Sequence, residues 1–140
     1  MMAIENLEMK GKKVVLISGA SRGIGAGILS VFEGGDYFLI GTATTESGLA
    51  KIRLSLDALN TQGMALKLDL SSPEDIKRFT LTLKEQHITI DILVNNAGLT
   101  ADNLALRMKA EQWHSVIDTN LTGTFLLSQA LLRSMLKKRQ

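Results

Sequence analysis

The chain has 140 residues, enough for one compact domain with a substantial core and too few for two, and its 45% hydrophobic and 21% charged residues mark a globular protein. It has no cysteine, which excludes disulfides and thiolate metal sites, and a net charge of +2 is too small to indicate a nucleic-acid partner. No apolar run approaches the roughly 20 residues of a membrane span, and Met1-Met2-Ala3-Ile4-Glu5 lacks the charged and apolar regions of a signal peptide, so a cytoplasmic location is expected.

Short apolar runs alternate with longer amphipathic stretches. Val14 to Ser18 predicts a strand, and Ile24 to Phe32 a helix stopped by Gly34-Gly35. Tyr37-Phe38-Leu39-Ile40 predicts a second strand, followed by a helix from about Gly48 to Leu59 and a break at Asn60 to Gly63. Ala65-Leu66-Lys67-Leu68 reads as a third strand. Ser72-Pro73-Glu74-Asp75 then opens a helix with a capping hydroxyl, a proline in the first turn and acids facing the dipole. Ile90 to Val94 is the fourth strand, and Glu111 to about Lys138 reads as one long helix whose Ile117, Leu121, Phe125, Leu131, Leu132 and Met135 fall largely on one face. This β-α-β-α-β-α-β order specifies an α/β fold with a doubly wound parallel sheet, expected in the order 3-2-1-4. The apolar Ile92-Leu93-Val94 would then form an edge, and a further strand is expected to cover it.

The chemistry begins at Gly19-Ala20-Ser21-Arg22-Gly23-Ile24-Gly25, directly after the first strand. A strand that ends in closely spaced glycines and turns into a helix offers bare N–H groups and a positive dipole end to a phosphate, so the turn predicts a dinucleotide. Gly19 would allow the tight turn, Gly23 the approach of a pyrophosphate, and Gly25 the packing of helix on sheet. An acid at the end of the second strand would hold a ribose 2′-hydroxyl and repel a 2′-phosphate; here Gly41-Thr42-Ala43-Thr44 has none. Arg22 and Thr44 could instead bind the phosphate, which favours NADP(H), the lesser alternative being a solvated Arg22 on the loop. His87 and His114 lack metal-ligand spacing and read as surface residues, and Trp113 as packing or subunit interface.

The spacing Gly-x-x-x-Gly-x-Gly, together with Asn95-Asn96-Ala97-Gly98 after the fourth strand, resembles the short-chain dehydrogenase/reductase family, from about Gly11 to Arg139. Asp102-Asn103-Leu104, Arg107-Met108-Lys109, Trp113, Thr119-Asn120-Leu121 and Met135 to Arg139 look like its 3-oxoacyl-[acyl-carrier-protein] reductase subgroup, with Ala101 a departure from the basic residue often found there. The resemblance implies that Asn96, Ala97 and Gly98 approach the nicotinamide-side ribose, and that Asn120 holds a water in a proton relay. It also implies that Asp69, beside Leu70, accepts from the adenine amino group; the residues themselves equally allow a turn carboxylate ahead of Ser71 and Ser72. Asn95 reads as structural, bonded to its own backbone. Lys137, Lys138 and Arg139 complement the helix dipole, and in the subgroup Lys138 and Arg139 resemble a patch that docks acyl carrier protein. Family members commonly form homotetramers through the long helix.

The family's catalytic Ser and Tyr-x-x-x-Lys are absent: Tyr37 lies in the second strand and Gly41 stands four residues later. Residues 1–140 are therefore expected to be a partial NADP-binding Rossmann domain, inactive alone, from an enzyme that reduces a 3-oxoacyl thioester in fatty acid synthesis. The alternative is a non-catalytic nucleotide-binding or subunit-interaction module.

Overall fold

The computed structural model describes residues 9–139, so the expectations for Met1 to Glu5 lie outside the described residues. Four parallel strands, β1 (Lys13–Ile17), β2 (Tyr37–Ala43), β3 (Gly63–Lys67) and β4 (Ile92–Val94), form one sheet in the order β3-β2-β1-β4, as the alternation requires. The crossovers are α1 (Gly23–Val31), α2 (Glu46–Ala58) and α3 (Pro73–Glu85). Beyond β4 come a 3₁₀ turn (Ala105–Arg107), α4 (Ala110–Ile117), a π-helical turn (Asp118–Gly123) and α5 (Thr124–Lys138).

Alternation along the strands divides the core into two layers, because successive side chains leave opposite faces of a sheet. Val14, Leu16, Phe38 and Ile40 pack with Ile76, Phe79 and Leu83 of α3 and Leu127 and Leu131 of α5. Val15, Ile17 and Leu39 pack on the other face with Leu29 of α1 and Leu49, Ile52 and Leu56 of α2. Burial on both faces explains why β1 and β2 read as unbroken apolar runs.

Three expectations about the elements need correction. Strand β2 runs three residues further than Ile40, because Gly41, Thr42 and Ala43 continue the register with Ala65, Leu66 and Lys67. The predicted single helix from Glu111 to Lys138 is divided by the π-helical turn at Asp118–Gly123, and its stripe is two surfaces rather than one. Leu127 and Leu131 are buried, whereas Leu121, Phe125 and Leu132 are more than half exposed. Leu131 and Leu132 differ by about 100° around a helix and cannot share a narrow face. Strand β4 is also shorter than expected, since Asp91 uses its side chain where a ladder would continue: its carboxylate accepts from Val14 N at 2.8 Å.

Candidate functional site

The strand ends of β1, β2, β3 and β4 place their following loops along one edge of the sheet, where a ligand binds in open α/β sheets. At Gly19 the chain turns with φ +66°, and at Gly23 with φ +57°; a Cβ on Gly23 would meet nothing within 4 Å, so its requirement is conformational and the space beside it is open. Gly25 is confined instead. A Cβ there would lie 2.1 Å from the Gly19 carbonyl oxygen and 2.5 Å from Asn96 Nδ2. The third glycine thus secures contact with the β4 loop as well as close packing of helix on sheet.

That contact is a reciprocal clamp. Asn96 Nδ2 donates to the carbonyls of Ser18 (3.1 Å) and Gly19 (2.9 Å), while the buried Ser18 hydroxyl accepts from Asn96 N (3.1 Å) and Ala97 N (3.0 Å). Gly19 lies so near Ala97 that a Cβ would approach its Cα to 2.9 Å. Thr42 completes the support, its buried hydroxyl accepting from Gly19 N at 3.2 Å and its carbonyl from Ala20 N at 2.9 Å. Ser18 and Thr42 were not singled out from the sequence. Their only signal is a small hydroxyl residue at or near the end of an apolar strand.

The helix N-termini differ in a way that bears on an anion. Thr45 caps α2, accepting from Gly48 N at 3.1 Å, with Glu46 in its first turn; Ser72 caps α3, accepting from Asp75 N at 3.2 Å, with Glu74 and Asp75 following. The N-terminus of α1 has neither a side-chain cap from Arg22 nor an acid in its first turn. Its N–H groups and dipole face the loop that carries the exposed Arg22 and Ile24. Thr44, just past β2, is exposed, and Ser21 lies against Gly48, whose Cβ would be 3.4 Å from that of Ser21. Ser21, the neighbour of Arg22, thus lies beside the start of α2, and the β2–α2 junction that carries Thr44 has no acid before Glu46.

Asp69 follows β3 beside the end of β2, where Leu68 N donates to Ala43 O at 3.0 Å. Its Oδ1 accepts from Ser71 N (2.9 Å) and Ser71 Oγ (2.6 Å), so it makes the turn anticipated as one of its two readings. No donor reaches Oδ2 among the described residues, and this oxygen can accept from a ligand. Leu70 is buried, and its carbonyl oxygen lies 2.1 Å from where Gly123 would carry a Cβ.

Asn120 stands in the π-helical turn, with its side chain held rather than free. Leu99 N donates to its Oδ1 and its Nδ2 donates to Leu99 O, both at 2.8 Å, which ties the segment after Gly98 to the helix. Asn95 departs from the expected bond to its own backbone and donates to Ser128 Oγ at 3.1 Å. At the far end of α5, Lys138 Nζ pairs with Asp91 Oδ1 at 2.7 Å, against a carboxylate only 5% exposed. Lys137 and Arg139 are exposed.

The fold and this site define a doubly wound α/β domain with a glycine-turn dinucleotide cradle. Residues 13–140 match the family model of the short chain dehydrogenases, and the chain belongs to that family. It is 46% identical over 128 residues to a 3-oxoacyl-[acyl-carrier-protein] reductase of Vibrio cholerae, covering 91% of this chain and 51% of that protein. The corresponding reductase of Escherichia coli K12 is 43% identical over 127 residues, with the same coverage of 91% and 51%. The chain therefore spans about half the length of the curated relatives it matches. Among solved structures, a Gluconobacter frateurii L-sorbose reductase complexed with NADPH and L-sorbose superposes with a TM-score of 0.81 at 22% identity, over 91% of this chain and 49% of that one. A Sinorhizobium meliloti protein assigned as a short-chain alcohol dehydrogenase gives 0.79 at 31% identity, over 89% and 50%.

Proposed function

We propose that this chain is the cofactor-binding part of an NADP(H)-dependent 3-oxoacyl-[acyl-carrier-protein] reductase. The observation that carries the reading is the interlock of Gly19 and Gly25 with Asn96 and Ala97 beside the uncapped start of α1. The pyrophosphate would lie against Gly19, Ala20, Ser21, Gly23, Ile24 and Gly25, and the 2′-phosphate against Arg22 and Thr44. Asp69, with Leu70, would take the adenine, and Asn96, Ala97 and Gly98 the nicotinamide-side ribose. When bound, the nicotinamide supplies a hydride; this chain's residues bind and orient it. The reduction of a 3-oxoacyl thioester is supported by the 46% identity to the Vibrio cholerae reductase. Asn120 would serve a proton relay from its place in the π-helical turn, with its side chain fixing Leu99.

The test is a titration of NADPH and NADH into the chain and its Arg22→Ala variant. Loss of Arg22 raises the NADPH dissociation constant about tenfold or more, by the worth of a charge-assisted phosphate bond, and that of NADH much less. Equal effects would remove the 2′-phosphate assignment. Among residues 1–140 there is no Tyr-x-x-x-Lys, and Tyr37 is fixed in β2 against Phe32 with ring centroids 5.1 Å apart. The chain assayed alone is expected to reduce no 3-oxoacyl substrate. Turnover would contradict the assignment of the proton donor to residues outside it, whereas NADPH binding without turnover also fits a nucleotide-binding module.

Two partner surfaces belong to this reading. Acyl carrier protein, an acidic partner, would meet the end of α5 chiefly through Arg139, since Lys138 is already paired with Asp91. Self-association would use the exposed Leu121, Phe125, Leu132 and Leu136 of the last helical segment.

A further inference from the structure

Helix α3 begins with a departure from the usual capping box. Ser72 accepts from Asp75 N in the ordinary way, but the Asp75 carboxylate does not return to the cap residue's own N–H. It reaches past the cap to Asp69, whose backbone N–H donates to Asp75 Oδ2 at 2.6 Å, while Ser72 N donates to Asp69 O at 3.2 Å. The Asp75 side chain is 10% exposed and its other oxygen is paired with Arg78. A nearly buried carboxylate is thus committed to the backbone of one loop residue.

Asp69 is the residue so held, with its amide tied to Asp75, its carbonyl to Ser72 N and its Oδ1 to Ser71. Of its two carboxylate oxygens, Oδ2 alone has no donor among the described residues. Rotation about the Asp69 backbone would displace that oxygen, and the Asp75 contact restrains this rotation. Glu74, also in the first turn, already supplies a charge for the helix dipole, so that service does not require Asp75 to reach back.

We propose that Asp75 is a positioning residue for base recognition, aiming Asp69 Oδ2 at the exocyclic amino group of the cofactor's adenine. The inference rests on the reading of Asp69 as the adenine acceptor. It is tested by titrating the 140-residue chain with NADPH and with its hypoxanthine analogue, in which an oxygen replaces that amino group. The wild-type protein binds NADPH more tightly than the analogue by about tenfold, the worth of one hydrogen bond to a carboxylate. In Asp75→Ala the ratio falls toward one. In Asp75→Asn it is retained, because the amide oxygen still accepts from Asp69 N although the ion pair with Arg78 is lost. A purely structural Asp75 would change melting temperature and both affinities together while leaving the ratio alone. A folded Asp75→Ala protein with the wild-type ratio overturns the proposal, and if that variant does not fold, Asp75→Ser carries the same expectation, its hydroxyl being too short to reach Asp69. Asp69→Ala separates the two ideas. If it leaves the ratio unchanged, the adenine reading itself fails; if it abolishes the ratio while Asp75→Ala does not, only the positioning role fails.

Discussion

At the residue scale, Gly19 and Gly25 make close approaches that tolerate no added atoms. Gly25→Ala would drive a Cβ to 2.1 Å from the Gly19 carbonyl oxygen and 2.5 Å from Asn96 Nδ2, so either the turn opens or the Asn96 clamp breaks. The expected cost is about 1–3 kcal/mol in urea unfolding with loss of measurable NADPH binding, despite alanine's better helix propensity. Ser18→Ala is the complementary change. It leaves the N–H groups of Asn96 and Ala97 without their acceptor and is expected to cost about 1–3 kcal/mol in the same assay; a stability within 0.5 kcal/mol of wild type would show the clamp to be redundant. The glycines were legible in the sequence because three so closely spaced after a strand are unusual, whereas Asn96 was named through the family resemblance and for a cofactor role rather than for the clamp it makes. Ser18 and Asp75 were not, since a serine at a strand end and an acid in a first helical turn each have ordinary local explanations, and only their partners 78 and 6 residues away reveal otherwise.

Among the elements, the last helical region carries a local irregularity that brings its backbone against a neighbouring loop. The π-helical turn at Asp118–Gly123 places Gly123 against Leu70, and a Cβ at that position would lie 2.1 Å from the Leu70 carbonyl oxygen. Propensity alone would make Gly123→Ala stabilising by up to about 1 kcal/mol. The contact reverses the sign, and the variant is expected to melt at a lower temperature, since backbone rather than a flexible side chain is struck. A periodicity read at a uniform 3.6 residues per turn carries no sign of the wide turn. The mixed stripe of buried Leu131 with exposed Phe125 and Leu132 lies within α5 itself and follows from the ordinary 100° step of a regular helix.

For the molecule as a whole, the exposed stripe of α5 and the half-buried three-residue strand β4 at the sheet's edge are two surfaces on which a partner could bury apolar area. Phe125→Glu combined with Leu136→Glu should lower concentration-dependent association in sedimentation velocity if the stripe is the contact. Association unchanged by the pair would place it at the β4 edge instead. Among the described residues no helix is long and apolar enough to cross a membrane.

The sequence by itself determined the parallel fold, its strand order and the position of the glycine cradle. Those follow from local signals: apolar runs buried on both faces, caps, and glycines at backbone turns that other residues resist. Tertiary structure alone decided that Asn96 and Ser18 lock the β1 and β4 loops together, that Asn120 spends its side chain on Leu99, and that Lys138 is held by Asp91. It also decided that Asp75 reaches back to Asp69. Each is a hydrogen bond or ion pair whose donor and acceptor choice depends on which groups the packed sheet brings within about 3 Å, a distance that residue types and spacing do not encode.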